Sequence, residues 1–346
     1  MAPTRRPHER PAPHQLIAAV ISRFGPPEVL ELQEVPTPTP APDEVLVRVH
    51  ASALNRADLL QRVGRYPAPP GWPSDIPGLE FAGEVAATGT DARRWRAGDR
   101  VFGLVGGGAH AEYVVVHEAT IARIPDALTW HEAAAIPEAF ITAYDAMVTQ
   151  GRLRAGEHVV VHAVASGVGL AAVQVARAWG ARAFGTSRSA SKLAVAQSLG
   201  MDGGVALPVS PDAFPQAVST WSHGHGADLT LDLVGGPYLS RSIEAAAPRG
   251  RLLLVGAVGG GSAQVDVRLI LGKRLTLQGT VMRARSLPER IAVAEAFTAD
   301  VVPRIASGEF VPSIDAVFPL DRIADAHTRL ASNETVGKVV LELPPR

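Results

Sequence analysis

Residues 159–188, VVVHAVASGVGLAAVQVARAWGARAFGTSR, constrain the fold more than any other stretch of the chain. Val159, Val160 and Val161 form a short apolar run, the pattern of a strand buried on both faces. Ser166, Gly167, Val168 and Gly169 make a tight turn. From Leu170 to Trp179 the apolar residues recur at helical spacing, and Gly180 ends the helix. A second strand over Arg182 to Thr186 ends at Ser187 and Arg188. Such a strand–turn–helix–strand unit holds an anion such as pyrophosphate at the helix N-terminus, where unpaired N–H groups and the macrodipole favour negative charge. A strict G-x-G-x-x-G would need glycine at Val164, Ser166 and Gly169, and only the last is glycine. The flanking strands, the helix and the basic residue therefore carry the reading. An acid after the second strand would bind the ribose 2′-OH of NAD. A hydroxyl and a guanidinium stand there instead, which suits the 2′-phosphate of NADP. A doubly wound domain for another nucleotide, or for none, is the alternative.

A chain of 346 residues suggests two domains at roughly 150 residues each. The formal net charge of −1 gives no reason to expect a nucleic-acid partner. No uncharged apolar run is long enough to span a bilayer. The chain has no cysteine, which excludes disulfides and thiolate metal sites and fits a cytoplasmic location. Residues 1–14, rich in Pro, Arg and His, lack the apolar core of a signal peptide and read as a disordered extension.

Residues 15–34 pattern as a β-hairpin turned at Gly25-Pro26-Pro27, and residues 44–53 alternate as a half-buried strand. Further strands are expected at 78–87, 100–104 and 110–116. Short strands separated by Gly and Pro suggest a partly open β-barrel. Helices are expected at 129–135 and 140–150. Strands near 157–162, 182–186, 204–207, 228–233, 251–255 and 275–279 then alternate with helices, the pattern of a parallel sheet. A helix over 287–308 and strands at 314–318 and 336–343 complete the chain and return it to the barrel.

This layout resembles the medium-chain dehydrogenase/reductase superfamily. The match is carried by NRADLLQRVGRYPAPPG from Asn55, GLEFAGEV from Gly78, GDRV from Gly98 and GGGAHAEYVVV from Gly106. It continues with IPEAFITAYDAM from Ile136, HAVASGVG from His162, PRGRLLLVGAVGG from Pro248 and VGKVVLELP from Val336. Within the superfamily the chain is most similar to the zinc-independent, zeta-crystallin-like quinone oxidoreductases. The resemblance implies an α/β chain. A doubly wound parallel Rossmann sheet, residues 139–282, would be inserted into a GroES-like partly open β-barrel catalytic domain, residues 15–138 and 283–346. It implies NADPH as cofactor and transfer of hydride, or of single electrons, to a small-molecule quinone or related α,β-unsaturated carbonyl. An enoyl-thioester reductase and a crystallin-like NADPH-binding protein without enzymatic activity are the alternatives. It also implies a homodimer paired through the sixth sheet strand, LTLQGTV over residues 275–281.

The resemblance bears on metal as well. Zinc-dependent alcohol dehydrogenases place a Cys where Asn55 stands and a His where Leu79 stands, beside the acid that matches Glu80. Asn55 and Leu79 cannot replace a thiolate and an imidazole, and no metal is expected. His223 and His225 lie in a Gly-rich loop and read as an exposed turn, two histidines being below the usual ligand count. Without a Lewis acid, the favoured acceptors are those in which conjugation already spreads the incoming negative charge.

Candidate site residues follow. By resemblance Tyr66 lines the substrate pocket, where its hydroxyl, with a reference pKa of about 10, is a donor rather than a base; otherwise it packs on the prolines around it. Asn55 and Asp58 match a pocket segment, with Asp58 alternatively capping a helix that starts at Leu59. Ser166 is a catalytic or phosphate-binding candidate within the turn Ser166, Gly167, Val168 and Gly169. Thr142 matches a position beside the cofactor, or bonds back to its own helix. Ser187, Arg188 and Lys192 are assigned to the 2′-phosphate. Gly256, Ala257 and Val258, with Thr280 and Val281, follow sheet strands and face the nicotinamide. Lys338 matches a lysine near the cofactor in relatives, or forms a surface ion pair.

Overall fold

The computed structural model describes residues 14–207 and 210–344, so the extension expected at residues 1–14 lies, but for His14, outside the described residues. They form two compact units. One comprises the chain up to Glu138 and from Arg283 onward; the other is Ala139–Met282.

The first unit opens with a hairpin of β1 (Gln15–Ile21) and β2 (Leu30–Pro36), paired from Gln15↔Pro36 to Ile21↔Leu30. β3 (Glu44–Leu54), α1 (Arg56–Arg62), β4 (Glu80–Thr88), β5 (Arg100–Leu104), β6 (Tyr113–His117), β7 (Ile121–Arg123) and α2 (Trp130–Ala134) follow. α3 (Pro137–Tyr144) carries the chain into the second unit. It starts at Pro137, whose missing N–H is no loss in a first turn. The helix expected to reach Gln150 widens into a π-type turn over Asp145–Gln150.

The second unit holds β8 (His158–Val161), α4 (Gly167–Ala178), β9 (Arg182–Ser187), α5 (Ala190–Ser198), β10 (Gly203–Ala206) and α6 (Phe214–Trp221). β11 (Ala227–Asp232), α7 (Pro237–Ala245), β12 (Ala246–Leu254), α8 (Val267–Lys273) and β13 (Thr276–Gly279) complete it. The six strands are all parallel, in the order β10-β9-β8-β11-β12-β13. This is the doubly wound Rossmann order, which reverses direction between β8 and β11; ligands bind at such a reversal, beyond the carboxyl ends of the strands. Val159, Val160 and Val161 are wholly buried, as a strand covered on both faces requires. β13 and β10 are the sheet's two edge strands.

The chain returns to the first unit as α9 (Leu287–Ala296), α10 (Val302–Ala306), β14 (Ile314–Pro319), α11 (Ile323–Ala331) and β15 (Lys338–Glu342). One continuous helix was expected over 287–308. Instead the backbone widens over Phe297–Val301, because Pro303 has no N–H to continue the ladder. The seven-stranded GroES-like sheet runs β14-β15-β3-β4-β5-β7, with β6 paired to β3. Its core packs Phe81, Val47, Leu54, Val101 and Leu341 against Ile323 and Leu330 of α11.

The fold lowers the pKa of several histidines, four of them strongly. His110, His162 and His327 are buried, and His50 stacks on Trp130 with ring centroids 4.3 Å apart. Desolvation lowers His110 to about 3 and His50 and His162 to about 4, and takes His327 well below its ordinary 6.5. The unfolded chain therefore binds more protons than the folded one as pH drops below 6.5, and stability is lost in that direction. Asp58 has the opposite sign. Burial raises it from 3.8 to about 6, so its protonation favours the folded state as pH falls through that window. One carboxyl opposes these imidazoles. The urea midpoint should fall steadily from about pH 7 to about pH 4.5; a flat or rising midpoint would contradict this account.

Candidate active site

In the second unit, the turn after β8 delivers α4. Ser166 is the N-cap of α4, its Oγ accepting the Gly169 N–H at 3.1 Å. Gly169 is obligatory: a Cβ there would stand 2.5 Å from the Val164 carbonyl oxygen. The left-handed residue of the turn is Ala163, at φ 50°, a conformation in which glycine would carry no Cβ strain. The N–H groups of Gly167 and Val168 lie in the first turn, where no intrahelical acceptor exists. Ser187 ends β9 buried, with its Oγ accepting the Ser189 N–H at 3.3 Å, and Arg188 follows it exposed. Lys192 lies in the first turn of α5, half-buried.

At the ends of β12 and β13 an open groove of about 450 Å³ is lined by Leu254, Val255, Gly256, Ala257, Gly279, Thr280 and Val281. It brings together Gly256, Ala257, Thr280 and Val281 from the sequence assignment. Val258 is not among its lining residues and stands exposed. Gln150 Nε2 donates to Thr280 Oγ1 at 2.8 Å. A Cβ on Gly256 would meet the Leu233 carbonyl oxygen at 2.5 Å, so only glycine fits. Thr142 is buried on α3.

Asp232, at the carboxyl end of β11, was not singled out in the sequence. Its Oδ1 accepts the N–H groups of Val234 and Gly235, both at 2.8 Å, and fixes the loop before α7. The D-L-V-G-G run at a strand end was its available signal. Tyr238 was missed too. Burial raises its phenol pKa while the nearby Arg188 charge pulls it down, which puts a phenol near the arginine assigned to the 2′-phosphate.

In the first unit, Asn55 is the N-cap of α1, and Asp58 three residues on accepts the Asn55 backbone N–H through Oδ2 at 2.7 Å. The helix thus starts at Arg56, not Leu59, and Asp58 is the reaching-back residue of a capping box rather than the cap. Its Oδ1 accepts the Gly78 N–H at 3.0 Å, so both oxygens of this fully buried carboxyl serve the backbone. Ser52 Oγ lies 2.7 Å from His110 Nδ1, with His110 Nε2 3.8 Å from Asp58 Oδ2. All three are fully enclosed, so this trio is packing and not a nucleophile.

Tyr66 is half-buried. Arg283 grips its segment, donating to the Tyr66 carbonyl at 3.0 Å, the Gly106 carbonyl at 2.7 Å and Gln61 Oε1 at 2.6 Å. The guanidinium lies 5.0 Å from the Tyr66 ring centroid, a cation–π contact. Burial pushes the Tyr66 phenol above its ordinary value, partly offset by Arg283, so it is a neutral donor near pH 7. Arg283 lies 217 residues from Tyr66, beyond any local pattern.

Lys338 is the centre of this unit's polar interior. Its Nζ donates to Glu80 Oε1 at 2.6 Å, Asn55 Oδ1 at 2.6 Å and the Leu54 carbonyl at 2.9 Å. Three N–H groups meet three acceptors. Asn55 Nδ2 donates to Glu80 Oε1 at 2.9 Å, and the Glu138 N–H to Glu80 Oε2 at 2.7 Å. Both charges are buried, so Lys338 forms no surface ion pair.

Residues 41–126 match the alcohol dehydrogenase GroES-like domain, and residues 167–301 match the zinc-binding dehydrogenase family. The human quinone oxidoreductase is 30% identical over 95% of this chain and 98% of its own. The Pseudomonas aeruginosa quinone oxidoreductase is 33% identical over 92% and 97%. The chain belongs to the medium-chain dehydrogenase/reductase superfamily, in its quinone oxidoreductase-like branch. Among solved structures it is similar to a mycobacterial protein complexed with NADPH, with TM-score 0.83, 28% identity and 94% and 99% coverage. It is also similar to the CurK enoyl reductase, with TM-score 0.84, 26% identity and 95% and 100% coverage.

A zinc ion, implied by one family's description, does not fit the catalytic position here. Leu79 offers no donor atom. Asn55 Oδ1 and Glu80 Oε1 already share the Lys338 ammonium. Replacing Lys338 by Met should leave Glu80 buried without its counter-charge and cost about 3–5 kcal/mol of unfolding free energy. Adding Glu80→Leu should recover part of that loss. Urea denaturation of both variants checks it, and an unchanged midpoint for Lys338→Met would show that the pair contributes nothing.

Proposed function

We propose that the protein is an NADPH-dependent reductase of quinones or related α,β-unsaturated carbonyls. The observation that carries the acceptor class is the Lys338–Glu80–Asn55 network. With a lysine ammonium at that position, no Lewis acid is available to polarise a simple ketone, and conjugated acceptors need none. The names of the curated relatives support the same class. Arg188 after β9, in place of an acid, supports NADPH over NADH, as does the NADPH-complexed structural neighbour.

The residues fit such a cofactor. The first turn of α4, capped by Ser166, offers N–H donors to a pyrophosphate. Arg188, with Lys192 and Tyr238 nearby in the fold, would hold a 2′-phosphate. The groove lined by Gly256, Ala257, Thr280 and Val281 would take a flat ring. When bound, the nicotinamide supplies a hydride. The chain's own work is to position the two rings, exclude water and steady the oxygen that gains charge, with the balancing proton drawn from solvent. Tyr66 is the donor suited to that oxygen.

The structural likeness to an enoyl reductase favours one second reading, reduction of an enoyl thioester. NADPH oxidation measured with a 1,4-quinone, an alkenal and an enoyl thioester separates the two. Quinone turnover at least comparable to the others is expected. Turnover of the thioester alone would replace the first reading by the second.

NADPH should bind more tightly than NADH, and Arg188→Ala should narrow that gap by about 1–3 kcal/mol, the worth of a hydrogen bond to a charged group. Equal affinities in the unmutated protein would refute the cofactor assignment.

Tyr66→Phe should slow quinone reduction roughly tenfold, or about 1.4 kcal/mol, less than the loss of an oxyanion donor elsewhere because a quinone delocalises its charge. NADPH affinity should stay within about twofold, since the phenol would face the acceptor. Steady-state kinetics and NADPH titration on the same variant decide it. An unchanged rate leaves Tyr66 a packing residue, and a large loss of NADPH affinity moves it to the cofactor.

A further inference from the structure

The carboxyl ends of the parallel strands carry the nucleotide cradle; the amino ends carry a second cluster. His158 opens β8 and Asp228 stands near the start of β11, on neighbouring strands in register Leu229↔Val159. The loop before β11 curls back through left-handed residues at His223, Gly224 and Gly226, at φ 53°, 84° and 92°. This curl sets His225 over Asp228, with Nε2 2.9 Å from Oδ1. One ligand atom from each of His158, His225 and Asp228 lies within 4.8 Å of the others.

We infer that His158, His225 and Asp228 form a binding site for a first-row divalent cation, with zinc the best match. Two imidazoles and one carboxylate are the donor set of three-ligand zinc sites, in which water takes the fourth position. Metal–ligand bonds of about 2.0–2.1 Å put tetrahedral ligand atoms roughly 3.4 Å apart. One ligand atom of each residue lies within 4.8 Å of the others, with His225 Nε2 2.9 Å from Asp228 Oδ1 and His158 Nδ1 3.6 Å from Asp228 Oδ2, so small side-chain rotations would close the three on an ion.

Burial supports the site. His158 Nδ1 is enclosed and lies 3.6 Å from Asp228 Oδ2, with no full hydrogen bond among the described residues. The side chains of His158 and Asp228 are 16% and 18% exposed, and that of His225 is 51% exposed, so the cluster is walled on two sides and open on one.

The surroundings hold the ligands in place. Asp228 Oδ2 accepts the His158 backbone N–H at 2.8 Å. The Trp221 ring meets His158 edge-on with centroids 4.9 Å apart. Arg182 is occupied over Trp221 at 5.4 Å and beside Asp202 at 3.6 Å. Arg251 turns to the Asp228 carbonyl and to Glu157 rather than to the Asp228 carboxylate. Magnesium and calcium are poor matches, because they take oxygen donors. A bound ion would displace the proton between His225 and Asp228 and pin the loop at 222–226 to two central strands. It would lie at the opposite end of the sheet from the cradle, so its role is structural.

The test uses the full chain, stripped with a chelator and dialysed, then titrated with zinc chloride in a calorimeter. About one equivalent should bind saturably, and excess zinc should raise the melting temperature by about 2–5 °C. Cobalt(II) should give the visible bands of a four-coordinate N/O site. His225→Ala, at a half-exposed position that leaves the metal-free melting temperature intact, should weaken zinc binding by more than about 10-fold. His223→Asn alters the same loop outside the cluster, suits its left-handed backbone and should bind as the unmutated chain does. Absence of saturable binding would overturn the site and leave a hydrogen-bonded turn only. Equal binding by His225→Ala would overturn it as well, assigning the metal to scattered surface histidines. Neither result touches the proposed reductase activity, whose rate should not change on chelation.

Discussion

A lysine ammonium enclosed by a carboxylate, an amide and a carbonyl organises the barrel unit. Lys338 begins the last strand, and its partner Asn55 ends the segment between β3 and α1, 283 residues earlier. β15 pairs antiparallel with β3 alongside this contact, so the ionic and backbone links close the chain together. Burying both charges is tolerable only because each is fully engaged: three acceptors around Nζ, and N–H donors from Asn55 and Glu138 on Glu80. A half-satisfied version would cost more than an apolar core.

The nucleotide-binding unit rests on a different constraint, the crowding of backbone at the ends of parallel strands. Gly169 and Gly256 stand where a Cβ would meet a carbonyl oxygen at 2.5 Å. These are the places where main chain must approach main chain for a turn to expose N–H groups. The departure from three glycines in the motif is explained by where the turn bends. Left-handed geometry falls on Ala163, one residue before the first position of the strict motif, and Ser166 uses its hydroxyl as a cap where glycine would have none. A strained alanine costs about 1–2 kcal/mol, and the Ser166 cap returns a comparable amount.

What could be read from the sequence was local. The β8–α4–β9 unit, the alternation of strands and helices and the hairpin all follow from periodicity and turn residues within about thirty positions. Chemistry held by distant pairs could not be read. Asp58 presented as a cap because Asp precedes an apolar pair, yet the helix starts earlier, since Asn55 is itself a good cap and Asp58 answers it. Arg283 gives no sign in its own neighbourhood that it secures the Tyr66 segment. The His223–His225 pair was visible, but two of the three residues in the metal cluster come from strands brought side by side only by the parallel sheet. The two widened helical turns were hidden for another reason: the apolar spacing of a helix persists through a π-type turn, so periodicity alone does not reveal it.

The barrel's fixed cation also shapes the chemistry around it. Lys338 lowers the Asp58 carboxyl against the desolvation that raises it, and lowers His110 together with burial. The same charge therefore keeps the carboxylate beneath the Asn55 segment nearer to ionisation and the adjoining imidazole neutral. It does so without an open coordination position. A zinc ion polarises a carbonyl by binding its oxygen; an ammonium with all three N–H groups engaged cannot. In the proposed reaction, activation comes from the acceptor's own conjugation, with Tyr66 as the neutral donor suggested for it. The proposed preference for conjugated acceptors rests on how completely Lys338 is satisfied.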